Sequence, residues 1–103
     1  MPELNLPESV YQINYYYILA FENTRDAMTA HALSKEQIRA LIMPVPSDIS
    51  SGCGLALRFP DSTEEQIISF CQKLNFSCTL YKMSTVKIDG KRAVIKLFQK
   101  QSS

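Results

Sequence analysis

Tyr15-Tyr16-Tyr17-Ile18-Leu19-Ala20-Phe21 (YYYILAF) is the stretch on which the fold turns. Seven aromatic, β-branched and aliphatic residues in a row, with no charge among them, predict a strand that is apolar on both faces and therefore central in its sheet. A central strand needs neighbours on both sides, and the chain that follows supplies them. Asn23 or Thr24 can cap a helix, with Asp26 favourably placed in its first turn. Ala27, Ala30, Ala32 and Leu33 give that helix a small-residue face, and it should run to about Glu36. Ile38 to Met43 predicts a second strand, stopped by Pro44 and Pro46. Gly54 to Phe59 predicts a third, ended by Pro60.

Ser62-Thr63-Glu64-Glu65 carries a capping-box pattern, and Ile67, Ile68, Cys71 and Leu74 recur at helical spacing, so a second helix is expected over about Thr63 to Leu74. Cys78 to Met83 reads as a fourth strand, and Val86 to Ile95 as a hairpin turning at Asp89-Gly90. The order strand, helix, strand, strand, helix, strand suits an α+β ferredoxin-like βαββαβ sandwich with a C-terminal β-hairpin extension. In that arrangement the strands lie in the order four, one, three, two. The expected organisation is a tail over residues 1–13, the α+β domain over 14–84, and the hairpin with its tail over 85–103.

Composition narrows the function. The chain has 103 residues, 11 basic and 10 acidic, for a net charge of +1. No strong field gathers nucleic acid or an anionic membrane surface, and no segment approaches the roughly 20 apolar residues that span a bilayer. The first residues, MPELNLPESV, lack the basic and apolar regions of a secretion signal, so a cytoplasmic location is expected. Lys87, Lys91, Arg92, Lys96 and Lys100 in the hairpin read as a solvated edge that resists strand-to-strand aggregation. Three cysteines at irregular spacing form no CxxC pair and fit thiols in a reducing compartment better than disulfides or zinc. His31, the one histidine, sits alone in the first helix. No nucleophile elbow or phosphate loop appears, and neither a metal nor a cofactor is expected.

Of the three thiols, Cys53 stands apart. It lies between Gly52 and Gly54, directly before a strand, where the expected topology brings it near Asn23, Thr24 and Arg25. A helix N-terminus and a guanidinium there would favour the reactive thiolate, and the flanking glycines would let another molecule approach the sulfur. The alternative is a packed turn residue, since cysteine often behaves as a small hydrophobe. Cys71, on the apolar face of the second helix, reads as packing. Cys78 starts the fourth strand at the same end of the sheet; it reads first as packing, with a second, resolving thiol as the alternative. The first strand lies between it and Cys53, however, and two strand spacings of about 9 to 10 Å exceed disulfide reach.

The segments YYILAFENTRDAMTAHAL and LIMPVPSDISSGCGLALRF resemble the small bacterial family described as selenium/sulfur carrier protein-like. The resemblance covers about Tyr16 to Cys78, most specifically Pro46, Ile49-Ser50 and Cys53-Gly54-Leu55-Ala56-Leu57-Arg58. It implies Cys53 as the atom that holds sulfur or selenium as a persulfide or selenosulfide, with Arg58 in a supporting place, and it implies donor and acceptor proteins as partners. The basic residue often found after the second proline is Ser47 here. A carrier rather than a turnover enzyme is the leading expectation. The rival is a non-catalytic interaction or dimerisation module in which Cys53 is structural.

Overall fold

The computed structural model describes residues 15–49 and 53–101. The expected N-terminal tail and Gly52 lie outside the described residues. Five strands and two helices follow in the order β1 (Tyr15–Phe21), α1 (Thr24–Ser34), β2 (Leu41–Pro44), β3 (Leu55–Arg58), α2 (Glu64–Gln72), β4 (Cys78–Ile88) and β5 (Lys91–Lys100). The strands form one antiparallel sheet in the order β2-β3-β1-β4-β5, so the apolar stretch Tyr15–Phe21 is its central strand. The class is α+β.

Alternation along β1 divides the core between two faces of the sheet. Leu19 and Phe21 point to the helical face, where they meet Ala27 and Ala30 of α1, Ile67, Phe70 and Cys71 of α2, and Leu57, Cys78 and Leu80 of the neighbouring strands. Ile18 and Ala20 point the other way and are covered with Ala56, Met83 and Ile49. Ile49 belongs to the loop after β2, so a loop rather than a helix seals the second face. Each fully buried Leu or Ile contributes roughly 1.5–3 kcal/mol of burial free energy. That explains why β1 has no charged position.

The helices begin where side chains can satisfy their first amides. Asn23 caps α1, its side chain accepting from the Asp26 amide at 2.8 Å. Thr63 caps α2 reciprocally with Gln66: Thr63 Oγ1 accepts from the Gln66 amide at 3.2 Å, and Gln66 Oε1 accepts from the Thr63 amide at 2.9 Å. The buried face of α1 is Ala27, Ala30 and Ser34; Ala32 and Leu33, expected on it, are exposed.

Several strand boundaries differ from expectation. β2 begins at Leu41 rather than Ile38, because the Ile38 amide donates to the Ser34 carbonyl at 2.8 Å and is spent on the turn after α1. Pro44 stays in β2, as it can on an edge strand with no outer partner to supply. β4 runs unbroken from Cys78 to Ile88, so the expected fourth strand and the first arm of the expected hairpin are one strand, kinked by a register shift between Met83 and Lys87. The turn to β5 is Asp89-Gly90, with φ of 56° and 79°, the left-handed pair that a two-residue type I′ turn requires.

The basic residues of β4 and β5 are not uniformly solvated. The Arg92 amide donates to Asp48 Oδ2 at 3.0 Å and its guanidinium lies 3.5 Å from Asp48 Oδ1, which clasps β5 to the loop after β2. That amide bond, aided by the guanidinium charge, holds the Asp48 carboxyl below its ordinary range despite the opposing effect of burial. Lys100 is likewise engaged, as described below.

Candidate functional site

Cys53 stands two residues before β3, at the end of the sheet where β1 leads through Glu22 and Asn23 into α1. Its residue is 6% exposed and packs with the helical-face core. The Leu55 amide donates to Cys53 Sγ at 3.3 Å, and the Cys53 thiol donates to Thr24 Oγ1 at 3.7 Å. Thr24 is the first residue of α1 and is itself exposed. A hydroxyl both accepts and donates, so Thr24 can reverse its bond and donate to the sulfur when the sulfur carries charge.

The other expected members of the site are distributed unevenly. Asn23 turns toward its own helix, its Nδ2 donating to Asp26 Oδ2 at 3.2 Å. Exposed Arg25 lines a surface hollow of about 350 Å³ with Asn23 and Asp26. Gly54 is exposed, and a Cβ built on it would meet nothing within 4 Å. Its φ is not in the left-handed region, so glycine there leaves open space beside Cys53 rather than allowing an unusual backbone. Arg58 does not join the site. It ends β3, about 10 Å of strand beyond Leu55, and its guanidinium lies 4.9 Å from the Tyr16 ring centroid. His31 is in the last turn of α1, about 10 Å along the helix from Thr24.

Cys78 begins β4 opposite Phe21 of β1, at the same end of the sheet as Cys53 but with β1 between them. Its thiol neighbour is Cys71. These two buried thiols, one in the last turn of α2 and one at the start of β4, belong to the same core cluster. Interaction with the Cys71 thiol holds Cys78 below its ordinary range against the effect of burial, and the Lys100 ammonium adds to the lowering. The same interaction, together with burial, pushes Cys71 up. Lys100 faces Cys78 directly across the β4–β5 ladder, and its Nζ donates to the carbonyls of Gln72, at 2.7 Å, and Leu74.

Sequence reasoning had placed Cys71 in the core and Lys100 on a solvated edge, and so missed this cluster. The available signal was the five-residue link between α2 and β4, Lys73 to Ser77, which can only fold the strand back beside the helix end it has just left. Among the described residues no group of three or more His, Cys, Asp or Glu could hold a metal ion, and no helix is long and apolar enough to cross a membrane.

With the geometry in hand, comparison with known proteins is specific on one point. The family described as "Putative Se/S carrier protein-like" matches this chain over residues 16–79. The chain belongs to this family. The match takes in Cys53 and both members of the Cys71–Cys78 pair, and ends one residue after Cys78, so most of the β4–β5 ribbon lies beyond it. An uncharacterised protein of Methanocaldococcus jannaschii is 36% identical over 42 residues, covering 41% of this chain and 21% of that protein. The chain thus matches about a fifth of the length of that relative. No solved structure matches.

Proposed function

We propose that this chain is a small cytoplasmic carrier that accepts sulfur or selenium on Cys53 from a donor protein and passes it to an acceptor. In the loading step the Cys53 thiolate attacks the terminal sulfur of a donor persulfide, R–S–SH. A new S–S bond forms at Cys53, the donor's S–S bond breaks, and the electron pair and a proton leave with the donor thiol. Delivery repeats the exchange, with an acceptor thiolate attacking the terminal sulfur and Cys53 as leaving group. No other catalytic group is needed, so the chain acts as a carrier rather than a turnover enzyme.

The observation that carries this reading is the meeting of the Leu55 N–H and the Thr24 hydroxyl at Cys53 Sγ, within the span that the family match covers. Both are positioned to meet charge on the sulfur as it forms, and they lie on rigid elements that need not reorganise. Open space at Gly54 supplies the approach. The reading also takes β2-β3-β1-β4 as a ferredoxin-like sandwich to which β5 adds an edge strand. The test is loading with cysteine persulfide, followed by mass mapping of the added sulfur. Loading at Cys53 that disappears in Cys53→Ser supports the carrier; loading that persists in a folded Cys53→Ser protein defeats it.

The burial of Cys53 favours one rival, an interaction module in which this cysteine is a packed turn residue. Exposed Leu41 and Ile42 on the β2 edge, and Val86, Ile88 and Ile95 on the β4–β5 ribbon, would then form the surface of a homodimer or a partner site. Thiol-reagent titration separates the two readings. Rapid modification of Cys53 in the folded monomer favours the carrier; protection of all three thiols in a dimer favours the module.

A further inference from the structure

The two edges of the sheet are finished differently. β2, at one edge, is four residues long and ends in Pro44, which has no amide to give a ladder. β5, at the other, is ten residues long and contains no proline, and among the described residues only β4 pairs with it. The bulge on β5 falls at Leu97, and the second register shift, between Met83 and Lys87, takes up its extra residues on β4, so Lys91 to Lys96 offers an uninterrupted outer edge of six residues. Charge is divided in the same way. The β4–β5 ribbon, residues 78–100, holds six of the eleven basic residues and one of the ten acidic ones, so its formal charge is +5 and that of the rest of the chain is −4. Arg92 is bonded to Asp48, and Lys100 to the Gln72 and Leu74 carbonyls. Lys91 and Lys96 stand exposed at the two ends of the six-residue edge, with exposed Ala93 and Ile95 between them. Lysines alone would guard an edge against pairing; an isoleucine 48% exposed does not. Ile95 pairs with Lys82, whose ammonium lies 5.0 Å from the centroid of the exposed Tyr15 ring, so the three form one partly apolar patch beside the edge.

We propose that the outer edge of β5 binds an acidic, extended segment of a partner protein as an added strand, with two carboxylate side chains five positions apart facing Lys91 and Lys96 and aliphatic side chains between them covering Ala93, Val94 and Ile95. The main chain of the added strand pairs with the amides and carbonyls that β5 turns away from β4, and alternation sets the two carboxylates on opposite faces of the sheet. Charge chooses this occupant over a second copy of the chain. Antiparallel pairing of Lys91 to Lys96 with itself would put Lys91 opposite Lys96 at both ends, and like charges directly opposite are destabilising. A nucleic acid would meet the charge but leave the main-chain groups and Ile95 without partners. The two aromatic residues of the ribbon, Tyr81 and Phe98, are half-buried rather than presented to stack with bases. The edge is separate from Cys53, and its binding holds whether or not that cysteine carries sulfur.

The test uses the full chain and a fluorescent peptide of about ten residues, a strand's length and a little more, with two glutamates five positions apart and valine and threonine between them. Anisotropy reads binding, and hydrogen exchange places it. Expected are saturable binding that weakens as salt is raised and slower exchange confined to Lys91 to Lys96, both unchanged in Cys53→Ala. Lys91→Glu combined with Lys96→Glu should weaken binding by about tenfold, and the same peptide with lysines in place of its glutamates should bind that variant and not the natural chain. Ile95→Ser should weaken binding several-fold with every charge kept. These positions are exposed, so the variants should keep the natural denaturation midpoint. Equal binding of a peptide of the same composition with its glutamates adjacent, protection on β2 rather than β5, tighter binding of a single-stranded RNA, or association of the protein with itself through β5 overturns the proposal.

Discussion

Cys53 and Cys78 occupy the same end of one sheet, on either side of β1, yet their surroundings are built from opposite helix ends. Cys53 donates to the hydroxyl of the first residue of α1, at the positive end of a helix dipole, and accepts from the backbone amide of Leu55. Cys78 lies beside the last turn of α2, where carbonyls face outward and the dipole opposes an anion. There the chain adds what the helix lacks: the Lys100 ammonium, bonded to the Gln72 and Leu74 carbonyls and opposite Cys78 across the β4–β5 ladder. A cysteine at a helix N-terminus can rely on the backbone. One at a C-terminus needs a cation brought from elsewhere, and here β5 brings it.

The comparison can be broken most forcefully at the strand between the two sites. Leu19, fully buried in β1, packs in the core beneath both. Leu19→Ala should cost about 2–5 kcal/mol, read as a lower denaturation midpoint, and should raise the reactivity of all three thiols together. If only one site responds, the two are not joined through β1. Next in size are the helix caps, each serving one site. Thr63→Ala removes the reciprocal bond with Gln66 and should cost about 1 kcal/mol, accelerating exchange at Cys71 and Cys78 while leaving Cys53 unchanged; Asn23→Ala should do the reverse. Hydrogen exchange and site-mapped alkylation check both.

A finer test bears on Cys53 alone. Thr24→Val keeps the side-chain shape but removes the hydroxyl from Sγ, and should slow persulfide loading there by several-fold without altering the alkylation rate of Cys78. The smallest expected effect concerns the loop that covers the second face. Asp48 has a folded pKa below its reference value of 3.8, so its contribution to stability is fully present above that pH and is lost as pH falls through the lower folded value. Between pH 6 and pH 3 the denaturation midpoint should fall less in Asp48→Asn than in the natural sequence. Equal slopes would remove the clasp to Arg92 from the account.

Much of the architecture was legible because local chemistry and global position agree. The uncharged run Tyr15–Phe21 could only be central, Thr63 could only begin a helix, and Asp89-Gly90 could hardly be anything but a tight turn. The errors arose where one group was claimed twice. Ile38 looks like a strand residue, but its amide closes the turn after α1. Arg92 and Lys100 look like surface charges until the sheet order brings Asp48 and the end of α2 within reach. Position near Thr24 followed from topology, but the burial of Cys53 depended on packing across the core, which periodicity does not encode. The nearness of Cys71 and Cys78 in one core cluster escapes for the same reason: each residue follows from its own element, and the packing of the end of α2 against the start of β4 does not.

The central place of β1 has a consequence in time. Its partners are made long after it: the register that pairs Tyr15 with Ser84 spans most of the chain, and Ile18 must wait for Arg58 on its other side. At synthesis rates of about 5–20 residues per second, YYYILAF leaves the ribosome several seconds before either neighbour exists. During that interval the most apolar segment of the protein is an unpaired strand with two open edges. The nascent chain is therefore most in need of a chaperone while β1 waits for β3 and β4, and a variant that slows translation between β1 and β4 should aggregate more without any change in the finished molecule.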